Sequence, residues 1–164
     1  MKQVLIKKGQ AIIDDIPAPV LENETILVEL SHSCISAGTE LSGIKSSDMP
    51  LWKRAIKKPE QIKKALKMVS TDGVGKTKSF IQGKLAEGHP TGYSAAGRVI
   101  AIGSEIQDIK IGDRVACAGA QFAHHSELIK VPRNLVVPIP QSIDEAQAST
   151  VTLGAISLQG IRRL

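Results

Sequence analysis

Short apolar runs separated by glycine, proline and polar turn residues dominate the first part of this 164-residue chain. Val4–Lys7 and Ala11–Asp14 flank Gly9, a pattern that predicts an opening β-hairpin. The run Ile26–Ser31 is rich in β-branched and apolar residues and predicts a strand. A loop is expected to follow over His32–Leu41. The chain is therefore predicted to begin with β structure.

The spacing of the apolar residues changes from Met49 onward. A stripe at positions i, i+3, i+4 and i+7 predicts an amphipathic helix. Its members are Ile62, Ala65, Leu66 and Val69. A second, shorter helix is expected over Lys76–Ala86. Together they predict an α-helical insertion at about residues 50–87.

The β pattern returns in Pro90–Cys117, where a glycine-hinged strand, a turn and a second strand follow one another. Gly92 and Gly97 bracket a close backbone approach, because glycine inside a strand pattern usually marks a bulge, a bend or a near neighbour. Gly112 and Asp113 then form the turn before the second strand. The rest of the chain is expected to fold around this stretch.

The remaining residues predict two more strands and then helices. The strands are expected around Ser126–Val131 and Leu135–Ile139. Ser142 with Glu145 three residues later matches a capping box, which predicts the start of a helix. Thr150–Leu164 continues as a helical pattern with apolar positions. The chain is therefore predicted to end in helices.

The segment GYSAAGRVIAIGSEIQDIKIGDRVA within Pro90–Cys117 resembles the signature of the medium-chain dehydrogenase/reductase superfamily. In the zinc alcohol dehydrogenases this signature reads roughly G-H-E-x-x-G-x-V, then a V-G turn, then G-D-R-V. The resemblance covers most of the chain except residues 48–88. It is closest to bacterial two-part oxidoreductases that lack the zinc ligands, in which a medium-chain dehydrogenase is fused to a second dehydrogenase-like domain.

The resemblance implies a mainly β, mixed α+β fold. A GroES-like β-barrel is expected over residues 1–140, with the helical insertion inside it, and helices over residues 141–164 that lead to a Rossmann domain. No strand-G-x-G-x-x-G-helix unit occurs in the chain, so that domain is expected to be missing here. The apolar residues of ISLQGIRRL would normally pack on it, which favours a homo-oligomer or a packed crystal contact.

The resemblance further implies a function. The chain is expected to be the N-terminal, substrate-side domain of an NAD(P)-dependent medium-chain oxidoreductase that transfers hydride between its cofactor and an alcohol or carbonyl group. Without the cofactor domain, the chain is expected to be inactive. The alternative is a non-catalytic binding or assembly module that uses the basic helical insertion. The small-molecule substrate and the choice between NAD and NADP stay open.

The zinc ligands of the family are absent from the matching positions. A catalytic zinc needs three protein ligands and one open position. The family's cysteine falls on Ala37, and its histidine and glutamate fall on Tyr93 and Ser94. We therefore expect a zinc-independent protein. An unusual metal site stays open as an alternative, built from Cys34, His89, Cys117 or the His124–His125 pair.

Hydride transfer to a carbonyl needs a group that stabilises the developing alkoxide and supplies a proton. We hypothesise that the Tyr93 hydroxyl is this donor. Ser36 or Thr39 would relay the proton, and Glu40 would orient the loop. Ser94 is a further candidate. In the alternative interpretation, Tyr93 is a packed barrel aromatic with a satisfied hydroxyl and Thr39 is a turn residue.

The positive charge belongs to one segment. The net charge is +5, yet residues 53–84 hold ten Lys or Arg against two acidic residues, so the remainder is acidic. Only Trp52 and Phe80 are placed to stack bases, which favours a solvated helix face over a nucleic-acid site. Gly73–Thr77 (GVGKT) matches the end of a phosphate-binding loop. Ser70 stands at the required first glycine, so a turn between helices is favoured.

The cysteines and the N-terminus indicate the compartment. Cys34 and Cys117 are expected to be separate thiols in a reducing environment. The start, MKQVLIKKGQ, has no sustained apolar core of a signal peptide, and no stretch is long enough to cross a bilayer. A cytoplasmic location is expected. His124 and His125 are expected at the start of a strand, with one side chain buried and the other exposed.

Overall fold

The computed structural model describes residues 1–50, 67–71 and 73–164. Residues 67–71 are helical, and most of the first expected insertion helix lies outside the described residues. The elements in chain order are β1 (Lys2–Lys7), β2 (Gln10–Asp15), β3 (Thr25–Ser33), α1 (Ala37–Ser47), α2 (Val74–Glu87), β4 (His89–Pro90), β5 (Ser94–Ile102), β6 (Arg114–Ala118), β7 (Leu128–Pro132), a 3₁₀ turn (Arg133–Leu135), β8 (Val136–Pro138), α3 (Glu145–Ala148) and α4 (Val151–Ile161). The expected mixed α+β class is confirmed.

The chain divides into two compact units. The first comprises Met1–Val4, Ile13–Ala37 and Pro90–Leu164, and the second comprises Leu5–Ile12 and Gly38–His89. The opening hairpin predicted from the apolar runs is confirmed as β1 and β2.

A five-stranded sheet in the order β7-β3-β5-β6-β8 forms the centre of the first unit. All its pairings are antiparallel, and β3 pairs with β5 on one side and β7 on the other. The register between β3 and β5 shifts at Leu27/Val28 and at Leu30/His32. Such bulges increase local twist and bend a strand, which curls the sheet around its core. The core is aliphatic, as the scarcity of aromatic residues requires: Ile26, Val28, Val99, Ile109, Val115, Ile129, Val131 and Val136.

Close backbone packing explains why glycine occupies two positions, Gly97 within β5 and Gly103 directly after it. A Cβ atom at Gly97 would lie 2.1 Å from the carbonyl oxygen of Glu29 in the neighbouring strand. A Cβ atom at Gly103 would lie 2.1 Å from the carbonyl oxygen of Asn23. Neither position has room for a side chain, so the close approach expected at Gly97 is present.

The loop expected over His32–Leu41 is wrong at both ends. Strand β3 continues through Ser33, because His32 pairs with Ala96 and Ser33 pairs with Ala95 of β5. Helix α1 then begins at Ala37. The polar composition of this stretch favoured a loop, but strand pairing across the sheet extends β3 beyond its apolar run.

Helix α2 confirms the second helix expected in the insertion. Its N-cap is Gly73 with a φ of 83°, a backbone conformation that suits glycine. The buried Thr77 side chain donates a hydrogen bond to the Gly73 carbonyl at 2.9 Å. Val74–Thr77 of the GVGKT run therefore form the first turn of α2, which begins two residues before the expected start at Lys76.

Helix α3 begins two residues later than the sequence pattern indicated. The capping box is formed by Asp144 and Gln147 rather than by Ser142 and Glu145. Asp144 Oδ1 accepts from the Gln147 amide at 2.7 Å. Aspartate is as good an N-cap as serine, so the local pattern allowed both starts. Within the part of the chain that the structure describes, no helix is long and apolar enough to cross a membrane.

Candidate functional site

The corner before β5 is built on Gly92. Its φ is 104°, and a Cβ atom there would lie 2.8 Å from the backbone nitrogen of His125. Glycine therefore meets both the conformational and the steric requirement. The corner and the loop that carries His125 pack backbone against backbone, which leaves Tyr93 on a firmly held turn.

Tyr93 is half-buried at this corner. Its carbonyl oxygen accepts hydrogen bonds from the Gly119 amide at 2.9 Å and from the Thr152 hydroxyl at 3.2 Å. Among the residues that the structure describes, none hydrogen-bonds to the phenolic hydroxyl. The backbone of Tyr93 is thus fixed, while its hydroxyl keeps the capacity to donate to a ligand.

Ser94 uses its hydroxyl within the fold. The side chain is fully buried and donates to the Ser149 carbonyl at 2.6 Å. It also accepts from the Thr152 amide at 3.2 Å. These bonds join β5 to the junction between α3 and α4. The catalytic role of Ser94 stays a prediction, and this geometry supports a role in holding the helices.

The other three candidate residues follow β3. Ser36 lies half-buried in the short link after β3, in the same unit as Tyr93. Thr39 and Glu40 lie in the first turns of α1, in the second unit. Thr39 is exposed and Glu40 is half-buried. The structure thus groups Ser36 with Tyr93 and Ser94 in one compact unit.

Sequence reasoning missed a contact between Ser33 and His125. The imidazole Nδ1 of His125 lies 2.8 Å from Ser33 Oγ, a hydrogen bond whose donor depends on the tautomer. His125 is buried, with 8% of its surface exposed. The two residues are 92 positions apart, so no local spacing could have linked them. The only sequence signal was the expectation that one of the paired histidines is buried.

The histidine pair lies in the loop before β7 rather than at the start of a strand. His124 is half-buried, and its Nε2 lies 3.3 Å from the Ala120 carbonyl oxygen. Burial lowers the pKa of His124, and the hydrogen bond to Ala120 opposes this shift. The two rings thus make separate contacts, His125 with Ser33 and His124 with Ala120.

The described residues do not fit the zinc site of the family. Within residues 1–50, 67–71 and 73–164, no three His, Cys, Asp or Glu side chains are grouped to hold a metal ion. Cys117 lies in the hydrophobic core, where burial raises the pKa of its thiol to about 12. Cys34 and Cys117 are both free, as expected. Independence from zinc stays a prediction.

Glu145, the first residue of α3, forms ion pairs with Arg98 and Arg114 on the neighbouring strands. Its carboxylate accepts a hydrogen bond from Arg114 Nε at 3.0 Å, and Arg98 lies 3.9 Å away. The hydrogen bond from Arg114, then one from Ser31, and the charges of both arginines lower the pKa of Glu145. Glu145, Arg98 and Ser31 border a groove of about 460 Å³ whose lining includes Glu29 and Glu127.

The fold of this chain is that of the N-terminal, GroES-like portion of medium-chain dehydrogenase/reductase proteins. The quinone oxidoreductase from Coxiella burnetii superposes with a TM-score of 0.68 at 15% identity, covering 99% of this chain and 44% of its own. The Escherichia coli quinone oxidoreductase complexed with NADPH gives 0.60 at 17% identity, over 92% of this chain and 36% of its own. An alcohol dehydrogenase superfamily protein from Novosphingobium aromaticivorans gives 0.60 at 17% identity.

A curated relative adds similarity in sequence. A quinone oxidoreductase from Pseudomonas aeruginosa is 39% identical over 80 residues, which cover 48% of this chain and 25% of that protein. No protein-family model matches the chain. The resemblance to the medium-chain dehydrogenase/reductase superfamily is confirmed by these relatives and by the fold. The chain spans a quarter of the curated relative and less than half of these solved chains.

Proposed function

We propose that this chain is the substrate-side domain of an NAD(P)-dependent oxidoreductase that reduces a carbonyl group, with quinones as the first substrate class to test. The observation that carries the proposal is the 39% identity over 80 residues to a quinone oxidoreductase. The shared fold agrees with it, because the neighbouring structures include an oxidoreductase complexed with NADPH. A nucleotide-binding domain would hold the cofactor, and the chain by itself would be inactive.

The proposed chemistry does not use zinc. Ala37, Tyr93 and Ser94 stand at the positions of the family's ligands and supply no metal-binding set. The charge that develops on the substrate oxygen then needs another donor. Tyr93 is suited to this task, because its hydroxyl has no partner in the described part of the chain and its carbonyl oxygen is held by two hydrogen bonds.

A nicotinamide cofactor, held by a nucleotide-binding domain, would supply the hydride to the substrate carbonyl. As the carbonyl π electrons move to oxygen, the Tyr93 hydroxyl donates a hydrogen bond and then its proton, which leaves a tyrosinate. Ser36, which lies in the same compact unit as Tyr93, would return a proton to that tyrosinate from solvent. The relay by Thr39 and the orienting role of Glu40, both of which lie in α1, stay predictions. General acid catalysis of this kind contributes roughly 10²- to 10⁴-fold to a rate. The product is the alcohol, or the hydroquinone when a quinone is reduced.

The test is an NAD(P)H oxidation assay with a soluble quinone, using the product of the whole gene that contains this chain. We expect Tyr93→Phe to lower kcat by roughly 10²-fold or more while the fold is kept, because phenylalanine retains the ring and removes the proton. Ser36→Ala and Thr39→Ala then show which hydroxyl relays the proton.

The outcomes separate the parts of the proposal. Unchanged turnover in Tyr93→Phe removes Tyr93 from the mechanism and leaves the oxidoreductase assignment in place. A wild-type protein that neither binds nor oxidises NAD(P)H overturns the assignment and favours the non-catalytic binding module. Loss of activity on treatment with a zinc chelator, restored by zinc, would show that the protein depends on the metal.

A further inference from the structure

His125 joins three separate stretches of the first unit. Its backbone nitrogen donates to the Thr91 carbonyl at 2.9 Å, and its carbonyl accepts from the Val4 amide at 2.8 Å. Its imidazole Nδ1 forms the 2.8 Å hydrogen bond with Ser33 Oγ. The residue therefore contacts β1, the end of β3 and the corner that precedes β5.

The hydrogen bond between the His125 imidazole and Ser33 connects two backbone segments of the candidate site. Ser33 is the last residue of β3, and the next amide, that of Cys34, donates to the Ser94 carbonyl at 2.9 Å. Ser36 follows three positions after Ser33 in the chain. The Thr91 carbonyl, held by the backbone of His125, lies two positions before Tyr93. One histidine thus ties the link that carries Ser36 to the turn that carries Tyr93.

The packing leaves little freedom at this junction. Gly92 is in backbone contact with His125, since a Cβ atom there would lie 2.8 Å from the His125 nitrogen. The imidazole is almost fully buried, and a buried polar ring whose hydrogen bond is lost carries a desolvation penalty. Both facts favour a single arrangement of the turn and the link.

We infer that His125 is a positioning residue for Tyr93, acting through its hydrogen bond to Ser33. The functional meaning of this inference rests on the proposed function, because it matters for catalysis only if Tyr93 donates a proton. The structural coupling itself does not require activity, so it can be measured on the chain without cofactor or substrate.

The chain has one tyrosine, which makes the measurement direct. Incorporation of ¹³C-labelled tyrosine gives a single NMR signal that reports the surroundings of Tyr93. We expect Ser33→Ala and His125→Phe to shift or broaden this signal in the same direction. His125→Asn places an amide nitrogen near the position of Nδ1, so it should restore part of the wild-type signal.

The matched control is His124→Phe, which changes the neighbouring ring whose contact is with Ala120 rather than Ser33. It should leave the Tyr93 signal in place. Adding Ser33→Ala to His125→Phe should shift the signal no further than His125→Phe alone, because that single change already removes the contact between the two side chains.

A Tyr93 signal that stays in place in folded Ser33→Ala, with only a fall in Tm, would reduce His125 to a structural role and overturn the inference. If His125→Phe fails to fold, Ser33→Ala and His125→Asn still decide the question. A shifted signal together with an inactive whole-gene product would support the coupling and reject the proposed reaction.

Discussion

Strand β5 and helix α4 are both rich in small and aliphatic residues, but they differ in how far those residues are buried. In β5 the residues from Ser94 to Gly97 are all buried, and Val99 is 1% exposed. In α4 every residue is at least partly exposed, with Ile156 at 64% and Ile161 at 69%. Apolar composition thus shows which segments can be buried. Whether such a segment is buried depends on its place in the fold, as in β5, which lies between two strands of the sheet.

Two glycines, Gly97 in β5 and Gly154 in α4, differ in the same way in the space available for a side chain. Gly97 lies in the strand between β3 and β6, where a neighbouring carbonyl occupies the space a side chain would need. Gly154 lies in α4, where nothing in the described structure lies within 4 Å of an added Cβ atom. The same substitution at these two positions should therefore have effects of opposite sign.

Gly97→Ala should give the largest effect. Its Cβ atom would lie 2.1 Å from the Glu29 carbonyl oxygen, so the central strands must separate or shift. We expect a loss of about 3 kcal/mol or more in the free energy of unfolding, or failure to fold. Urea denaturation followed by circular dichroism measures this change in the free energy of unfolding. A loss below about 1 kcal/mol would mean that the sheet yields more easily than its packing indicates.

Gly154→Ala should stabilise the protein modestly. Alanine in a helix interior is favoured over glycine by about 0.5–1 kcal/mol, and no neighbour in the described structure opposes the added methyl group. The same denaturation experiment, run beside Gly97→Ala, provides the matched comparison. Destabilisation by Gly154→Ala would show that this face of α4 packs closely against another surface in solution.

Lowering the pH should weaken the attachment of α3, with an effect of about 0.5 kcal/mol. The Arg114 hydrogen bond holds the folded-state pKa of Glu145 below its ordinary value of 4.5. Its contribution is therefore present above the unfolded pKa and is lost as the pH falls through the folded pKa. In Glu145→Gln this part of the pH dependence of the unfolding free energy should disappear. An identical pH dependence in both proteins would contradict the assignment.

Local patterns were sufficient wherever the deciding interaction is local. The hairpin around Gly9 follows from neighbouring residues, as does the presence of helix α2. They were insufficient where a distant strand intervenes, as at His32 and Ser33, which join β3 because Ala95 and Ala96 lie opposite them. The capping box was placed two residues early, because serine and aspartate are equivalent caps in sequence.

The sequence by itself determined the opening hairpin, the superfamily resemblance and the absence of the family's zinc ligands from Ala37, Tyr93 and Ser94. Those features depend on residue type and on spacing along the chain. Only the tertiary structure decided that Ser94 binds Ser149, 55 positions away, and that His125 binds Ser33, 92 positions away. Hydrogen bonds between distant residues form only when the strands, loops and helices pack together, and no short-range pattern encodes which side chains then meet.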